Sequence, residues 1–534
     1  MKNIHKLFNG RFNIGSMFSA IGLFLFFILL RWNTVNIPFI RDEGAAAYNA
    51  WLLLQNIPIY LKSFCQTPPV FYYTYMLACL INPDAFWAPR VVAYIFVGLA
   101  TILLGFIARK EFGKGAGWIA MWIVTPLILL PGIITYEAKQ EKFLLLPLMG
   151  ILFGHIYWNK NSSSKHWFIA GLLSAITLSY KPTVCPIILF IFIVQIIETW
   201  KSAPALKQIL KKIACAIFGG GLALLIMFAF FIAHHSLAAF WECVVTYNRH
   251  YTEYSGFGLS EFFRHLKIFW ANWWILFLLT AYYLIRRPLR WWFYTGLFAA
   301  ALLSTAGSLY NQYYVPLMPI WALVITGAIT SLANDISSKY KLPARYLRMG
   351  LLIIVLLLLI LPSWQTIMMS PLEFQLRNYR GPTQLGGNPF YGSPIVAKRV
   401  QELTSPDDYV YIAGSEAQIL YYAKRQSPTR FTISYPLMHT PMALEYQKEV
   451  IRDLEKNPPE IIVFAPSNLS WMRRKDSPVL IFGYLDQLQS KKDYRVIGGF
   501  VQGEHGGFLQ EPVNAGAFHP SRYSLLIMKR VEEK

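Results

Sequence analysis

Two pairs of acidic residues lie where long apolar segments of the chain end, and both pairs are candidates for chemistry. Asp42 and Glu43 follow the first apolar segment, and Glu137 and Glu141 precede a later one. Because Glu137 and Glu141 are four residues apart, both can lie on one face of a helix. Such acids can simply interact with a helix dipole or form surface pairs. Ionisable groups at membrane depth are costly and usually functional, which favours a chemical role.

Basic and aromatic residues recur beside other apolar segments. Lys181 lies between Tyr180 and Pro182, and Arg249 lies within the run Tyr247-Asn248-Arg249-His250-Tyr251. Lysine and arginine at the outer face of a membrane oppose the usual charge bias, so they indicate an anionic ligand such as a lipid phosphate. The alternative for each residue alone is a side chain that extends to the lipid headgroups.

The elements that must position these residues are membrane helices. Of the 534 residues 55% are hydrophobic and 14% are charged, whereas a soluble domain carries about 25% charged residues. This composition excludes a soluble enzyme, a disordered chain and a fibrous protein. It predicts an α-helical polytopic membrane protein with about eleven transmembrane helices. The predicted spans are 16–32, 88–108, 116–134, 142–158, 167–180, 183–198, 213–233, 268–285, 291–307, 313–332 and 347–363.

The connections between these spans predict the orientation. Lysine and arginine are concentrated on one side, which we assign to the cytoplasm together with the N-terminus. The opposite side has two long loops, 33–87 and 234–267, and long loops usually carry function. Within the first of them, residues 69–81 are apolar but short, which predicts a re-entrant or interfacial helix. The basic start and first apolar run are similar to a signal peptide but lack a cleavage site, so we expect a retained first helix.

Charge and cysteine content narrow the function classes. The net charge is +21, of which +18 belongs to residues 1–363. The excess of basic residues therefore belongs to the membrane region, and nucleic-acid binding is not expected. The five cysteines are scattered, without the spacing of a zinc site or a disulfide framework.

The composition changes after residue 363, which marks the end of the predicted membrane domain 1–363. Residues 364–394 are predicted to be an extended linker, and residues 395–534 a soluble α/β domain outside the cytoplasm. Strand-like and helix-like runs alternate there, which is typical of a small, partly parallel sheet. We expect an accessory or acceptor-binding domain. The predicted strands are 408–414, 430–434, 460–465, 494–501 and 523–529, and the predicted helices are 416–424, 442–456 and 478–490.

Several short motifs follow one another in a recognisable order. They are Asp42-Glu43 with Tyr48, Pro58-Ile59-Tyr60, Pro68-Pro69 with Tyr72-Tyr73, Trp87-Ala88-Pro89-Arg90, Glu137 or Glu141, and Tyr313-Tyr314 with Pro316 and Pro319. Together they resemble the GT-C superfamily of integral-membrane glycosyltransferases, in particular its branch of protein O-mannosyltransferases and lipid A aminoarabinose transferases. The resemblance covers roughly residues 15–330.

The resemblance implies a reaction and a place. The family takes a sugar from a polyprenyl-phosphate carrier and transfers it, usually with inversion, to an acceptor at the outer face of the membrane. We therefore expect a multi-pass glycosyltransferase of a bacterial inner membrane that contacts membrane lipids, with a glycan, lipid A or a protein as acceptor.

The resemblance also implies roles for the acidic residues. Asp42 is expected to be the general base, and Glu43 to orient it or to help bind a cation. Glu141 is the favoured second acid, with Glu137 as the alternative. A divalent metal ion held by Asp42 and Glu141 is the expected cofactor, if there is one.

The substrate-binding residues are expected among the basic and aromatic side chains. Lys181 and Arg249 are candidates for phosphate binding. The family often has a charged residue before the first proline of the loop, where this chain has Thr67. Lys62 is then the lysine that can supply that charge. Tyr73 and Tyr313 complete the predicted set.

Other functions remain as alternatives. A ligase or polymerase of the same superfamily would use a lipid-linked oligosaccharide, and the size of its donor would distinguish it. A transporter or flippase would have its charged groups near the middle of the bilayer and repeated halves. The acidic residues instead gather at one membrane face, and an interaction protein would leave them unexplained.

Overall fold

The computed structural model describes most of the chain. The described ranges are 14–131, 133–134, 136–158, 163–202, 206–254, 259–286, 292–305, 310–379, 388–503, 506–511 and 523–531. All structural statements refer to these residues.

The first two thirds of the chain are helical. The helices are α1 (Ile14–Leu29), α2 (Arg41–Leu54), α3 (Pro69–Ile81), α4 (Trp87–Phe112), α5 (Ala116–Leu129), α6 (Gln140–Phe143), α7 (Leu145–Trp158), α8 (Ser164–Tyr180), α9 (Cys185–Ser202), α10 (Leu206–Ala233), α11 (Leu237–Phe240), α12 (Tyr247–Tyr254), α13 (Leu259–Arg286), α14 (Trp292–Thr305), α15 (Leu317–Tyr340), α16 (Ala344–Ile360), α17 (Trp364–Met368) and α18 (Pro371–Tyr379). One π-helical turn, Trp241–Thr246, connects α11 and α12.

Six stretches in the described part of the chain are long and apolar enough to cross a membrane. Shorter apolar helices accompany them, among them the predicted short segment 69–81, which forms α3. The protein is therefore a multi-pass membrane protein, and the count of eleven spans stays a prediction. The six stretches are Trp87–Phe112, Pro182–Lys201, Leu206–Ala233, Ser260–Arg286, Leu317–Tyr340 and Ala344–Met368.

Helix α15 is the centre of the bundle, since nearly every residue from Leu317 to Ala333 is buried. Helices α8 and α10 pack backbone against backbone. A Cβ atom on Gly171 would lie 1.9 Å from the carbonyl oxygen of Ala216, and one on Gly219 would lie 2.1 Å from that of Phe168. Small residues at such crossings let membrane helices approach closely.

The C-terminal domain is an α/β unit. Its five-stranded sheet has the order β1-β2-β5-β3-β4, with β1 and β2 parallel and the other pairs antiparallel. This confirms the predicted fold class. The elements are α19 (Ser393–Leu403), β1 (Val410–Ala413), α20 (Ala417–Ala423), α21 (Ala443–Lys456), β2 (Ile461–Phe464), α22 (Asn468–Trp471), α23 (Leu480–Ser490), β3 (Tyr494–Gly503), β4 (Gly506–Gln510) and β5 (Leu525–Arg530).

The structure corrects the sequence analysis at three places in this region. The predicted strand 430–434 is wrong, because that segment is irregular. Strand β4 was not predicted. Helices α17 and α18 lie within the segment expected to be an extended linker, and residues 380–387 of that segment lie outside the described residues.

The irregular segment 430–434 docks the C-terminal domain on the two long loops 33–87 and 234–267. Arg430 donates hydrogen bonds to both carboxylate oxygens of Glu242 at 3.0 and 2.8 Å and to Glu449 at 2.7 and 3.1 Å. The ring of Phe431 stacks on Phe64 with the centroids 5.4 Å apart. These contacts override the local strand pattern, because the arginine and the ring find their partners in another domain.

A buried histidine makes the stability of this domain depend on pH. Both ring nitrogens of His439 lack hydrogen-bond partners in the described part of the chain, and the residue is 3% exposed. Burial lowers the pKa of His439, and Arg474 acts in the same direction while Asp476 opposes it. The unfolded chain therefore binds a proton more readily than the folded chain.

We expect the free energy of unfolding to fall as the pH is lowered through about 6.5. Thermal unfolding of the purified protein between pH 8 and pH 5 measures this loss. The variant His439→Leu should lose less stability over the same range. An equal loss in the variant would assign the effect to other groups.

Candidate active site

The site begins at the first turn of α2, which follows α1 after a short connection. Asp42 and Glu43 lie in this first turn, where acidic side chains interact favourably with the positive end of the helix dipole. The next residues, from Gly44 to Leu53, are almost all buried. The helix is therefore fixed on the bundle, and its acidic N-terminus lies at the end of the bundle that faces the C-terminal domain.

Glu43 is the anchor of this turn. It is fully buried and forms a bidentate ion pair with Arg90 of α4, with N–O distances of 3.0 and 2.5 Å. The backbone N–H of Ala138 donates a third hydrogen bond to the same carboxylate at 2.8 Å. Arg90 also donates to the carbonyl oxygens of Thr34 and Ile37 at 3.0 and 2.6 Å. Arg90 thus connects α2, α4 and the connection before α2.

Asp42 has a different environment. Its side chain is 55% exposed and forms an ion pair of 2.7 Å with Lys139, which is 14% exposed. Removal of water by the surrounding protein raises the pKa of Asp42. The positive charges of Lys139 and the nearby Arg41 more than offset this effect, so the pKa lies below its ordinary value. The Asp42 carboxylate is therefore ionised at neutral pH, accessible, and held in place by one ammonium group.

Glu141 and Glu137 are both buried near this pair. Glu141 lies in α6 and forms an ion pair of 2.5 Å with Lys181, which follows α8. The backbone carbonyl of Glu137 accepts a hydrogen bond of 2.6 Å from Lys142. The second carboxylate oxygen of each glutamate has no hydrogen-bond partner in the described part of the chain. The carboxylate of Glu141 thus pairs with a lysine, whereas the lysine that contacts Glu137 binds its backbone.

Tyrosines surround these ion pairs. The ammonium group of Lys181 lies 3.1 Å from the ring centroid of Tyr313, a cation–π contact. The ring of Tyr310 lies 5.8 Å from that of Tyr313. Tyr251 of α12 and Tyr435 of the C-terminal domain lie within electrostatic range of Asp42. Tyrosines from three separate parts of the chain therefore lie in the neighbourhood of these ion pairs.

The remaining predicted residues lie elsewhere. The side chain of Arg249 is 80% exposed and lies 3.6 Å from Glu253 on its own helix. Lys62 is exposed in the first loop. The Tyr73 hydroxyl donates a hydrogen bond of 2.8 Å to the carbonyl of Met227 in α10. The structure brings Lys181 and Tyr313 to the carboxylates, whereas Tyr73 links α3 to α10.

Three residues near Asp42 were missed as functional candidates. Lys139 is not among the predicted site residues, yet it opposes the charge bias of the predicted outer face just as Lys181 does, and that signal could have found it. The partners of Arg41 and Arg90 lie 375 and 47 residues away in sequence. No local spacing predicts such pairs.

The described residues contain no group of three or more His, Cys, Asp or Glu side chains that could hold a metal ion. The predicted ligands Asp42 and Glu141 each have a lysine ammonium group beside the carboxylate. This donor set does not fit a divalent ion held by the protein, because such ions prefer several oxygen ligands.

The fold and the site together define a polytopic membrane protein with ion-paired carboxylates at one end of its helix bundle, beneath an α/β domain. No protein-family model and no curated protein matches this sequence. Solved structures do match, and they show that the chain has the GT-C fold. The resemblance inferred from the sequence is thereby confirmed at the level of the fold.

Two proteins represent these matches. ArnT from Cupriavidus metallidurans bound to undecaprenyl phosphate is 11% identical, with 96% of this chain and 97% of that chain covered and a TM-score of 0.57. The apo state of the same protein gives a TM-score of 0.54 at 12% identity, with the same coverage. The archaeal oligosaccharyltransferase AglB from Archaeoglobus fulgidus, in complex with an inhibitory peptide and a dolichol-phosphate, is 12% identical, with 93% and 74% covered and a TM-score of 0.50.

Proposed function

We propose that this protein is an inverting glycosyltransferase that moves a sugar from a polyprenyl-phosphate carrier to an acceptor hydroxyl group. The observation that carries the proposal is the accessible carboxylate of Asp42, paired with Lys139 at one end of a GT-C bundle. The lipid-phosphate ligands of the similar structures support a carrier of this class.

Asp42 is the proposed general base. Its carboxylate takes the proton of the acceptor hydroxyl while that oxygen attacks the anomeric carbon of the sugar. The bond between the anomeric carbon and the phosphate oxygen breaks, and polyprenyl phosphate leaves with the electron pair. Attack from the side opposite the phosphate inverts the anomeric carbon. Glu43 is the proposed positioning residue, because both its oxygens are engaged by Arg90.

Lysine side chains are proposed to stabilise the leaving phosphate. Lys139 and Lys181 are largely buried, and each pairs with a carboxylate of the site. Preorganised cations in a water-poor site stabilise developing negative charge more strongly than they do in water. Glu141 holds Lys181 in this arrangement, and Tyr313 covers its ammonium group.

The proposed reaction has no step on a metal ion, since an ammonium group lies beside each predicted metal-binding carboxylate. We expect sugar transfer to retain its rate in EDTA and to be unchanged by added Mg²⁺ or Mn²⁺. As a control, a known metal-dependent glycosyltransferase in the same detergent should lose its activity in EDTA. A loss in EDTA that Mg²⁺ or Mn²⁺ restores would return Asp42 and Glu141 to their predicted role as metal ligands.

The proposed place is a bacterial inner membrane, with the N-terminus in the cytoplasm and the C-terminal domain outside. Lysine and arginine concentrate on the opposite side from the site, which supports this orientation. The donor and membrane lipids are the proposed partners, and the acceptor is a glycan, lipid A or a protein.

A donor panel tests the proposal. Labelled undecaprenyl-phosphate sugars, including hexoses, hexosamines and pentoses, are supplied singly to the detergent-solubilised protein with a membrane extract as acceptor. Consumption of one donor, with the label appearing in the acceptor, is the expected result and identifies the sugar. No consumption of any donor by a well-folded protein would contradict the proposal.

An oligosaccharide donor is the second candidate, supported by the shared fold with an oligosaccharyltransferase at a TM-score of 0.50. It predicts transfer from a lipid-linked oligosaccharide and none from a single-sugar carrier. Transport of the carrier would move the label across the membrane of a proteoliposome without cleaving it from the lipid.

A further inference from the structure

The C-terminal domain has a polar cluster at one edge of its sheet. Strands β1 and β2 are parallel, so their carboxyl ends lie at the same edge. Ser415 and Glu416 follow β1, and Ser470 lies in α22, which follows β2. In open α/β sheets this edge is where ligands bind. The sequence alone left this cluster without a role.

The cluster is built around the carboxylate of Glu416, which is fully buried. One oxygen accepts hydrogen bonds from the backbone N–H of Ser415 at 2.9 Å and from the hydroxyl of Ser470 at 2.5 Å. A Cβ atom on Gly414 would lie 2.6 Å from this same oxygen, so a glycine at this position leaves room for the carboxylate.

The other oxygen of Glu416 binds the membrane domain. It accepts a hydrogen bond of 2.9 Å from Nε of Arg41 and lies 2.8 Å from Nη2 of the same guanidinium. Nη1 of Arg41 donates to the side chain of Asn388 at 2.8 Å, and the guanidinium lies 5.1 Å from the ring centroid of Phe390. Arg41 of the membrane domain therefore lies at the edge of the sheet where ligands usually bind.

Arg41 is the first residue of α2 and directly precedes Asp42. The same turn packs tightly on the C-terminal domain, because a Cβ atom on Gly44 would lie 2.4 Å from the Cβ atom of Gln418. The C-terminal domain thus holds the turn from one side, and the Glu43–Arg90 pair holds it from the other.

We propose that Glu416 of the C-terminal domain is a positioning residue that orients Asp42 through Arg41. A buried ion pair is weak as a source of stability but provides a specific geometry, which is what a general base requires. The C-terminal domain is then a part of the active site. The inference rests on the proposed function only for its activity measurements.

The activity test compares Glu416→Gln with Glu449→Gln in the full-length protein. Glu449 also lies in the C-terminal domain and also pairs with an arginine, Arg430, at the interface with the outer loops. We expect Glu416→Gln to lower kcat by about 10–100-fold with a nearly unchanged KM for the donor, as for a small misplacement of a reacting group. Glu449→Gln should lower the unfolding temperature but keep kcat within about 2-fold.

A double-variant cycle tests the route through Arg41. Arg41→Gln and Glu416→Gln remove the same ion pair. The loss of kcat in the double variant should therefore be smaller than the product of the two single losses. Multiplied losses, wild-type kcat in Glu416→Gln, or equal losses of kcat in Glu416→Gln and Glu449→Gln would each overturn the inference. If Glu416→Gln does not fold, the shorter Glu416→Asp takes its place in the same comparisons.

A measurement without substrate separates this inference from the proposed function. Asp42→Cys provides a thiol at the position of the carboxylate, and its rate of labelling by a membrane-impermeant maleimide reports its orientation. When each change is added to the Asp42→Cys protein, we expect Glu416→Gln to change the labelling rate and Glu449→Gln to leave it unchanged. An inactive wild-type protein with this labelling pattern would contradict the proposed function alone. An active wild-type protein whose labelling rate is the same with and without Glu416→Gln would contradict the positioning role alone.

Discussion

Replacement of Asp42 by asparagine will lower kcat for sugar transfer by about 10²–10⁴-fold, the usual contribution of one general base. The amide is nearly the same size as the carboxylate but does not accept a proton from the acceptor hydroxyl. The variant removes the ion pair with Lys139, whose pKa the carboxylate raises despite burial. The side chain of Asp42 is 55% exposed, so the protein should still fold.

The measurement is single-turnover transfer from the donor identified in the panel, together with donor binding. Binding should be retained, because the loss falls on the chemical step. Asp84→Asn is the matched control, since Asp84 precedes α4, is 80% exposed and pairs with Lys424 at 3.5 Å. Wild-type kcat in Asp42→Asn would eliminate Asp42 as the general base. Glu141 would then be the next candidate for that role.

The sequence predicted the parts of the site that depend on local order. Asp42 and Glu43 follow an apolar segment and precede a helical stretch rich in alanine and leucine, so their place at a helix start at the bundle end could be inferred. The alternation of strands and helices in the C-terminal region predicted an α/β unit in the same way, because hydrophobic periodicity is a local property.

The ion pairs of the site could not be predicted, because each joins residues distant in sequence. Glu43 meets Arg90, Asp42 meets Lys139, and Glu141 meets Lys181 only after the helices pack. The resemblance assigned different roles to Asp42 and Glu43, but the sequence did not show the different environments of these adjacent acids. Packing makes Glu43 a fully buried anchor and leaves Asp42 accessible, and this difference in environment supports the proposed positioning role of Glu43 and the proposed catalytic role of Asp42.

Breaking the buried Glu43–Arg90 pair will have the largest effect on stability. In Arg90→Met the carboxylate of Glu43 stays fully buried without its bidentate partner. Removing one partner of a buried pair costs about 3–5 kcal/mol, because the other charge is left uncompensated. The carbonyl oxygens of Thr34 and Ile37 also lose their donor. A denaturant titration of the detergent-solubilised proteins measures the loss in the free energy of unfolding.

The exposed pair Arg264–Glu261 provides the matched control. Its N–O distance is 2.6 Å, but the side chains are 52% and 31% exposed, so Arg264→Met should cost at most about 1 kcal/mol. An equally small cost for Arg90→Met would show that water or a rearranged cation compensates Glu43.

The double variant Glu43→Leu with Arg90→Met separates stability from function. Replacing both charges by apolar side chains removes the uncompensated carboxylate, so much of the lost stability should return. Activity should not return, because the bidentate geometry that fixes the first turn of α2, and with it Asp42, is absent. Recovery of both stability and kcat would mean that packing alone positions Asp42. Recovery of stability without kcat would show that the pair is retained for geometry, as expected if α2 presents Asp42 to the acceptor while Glu43 stays buried.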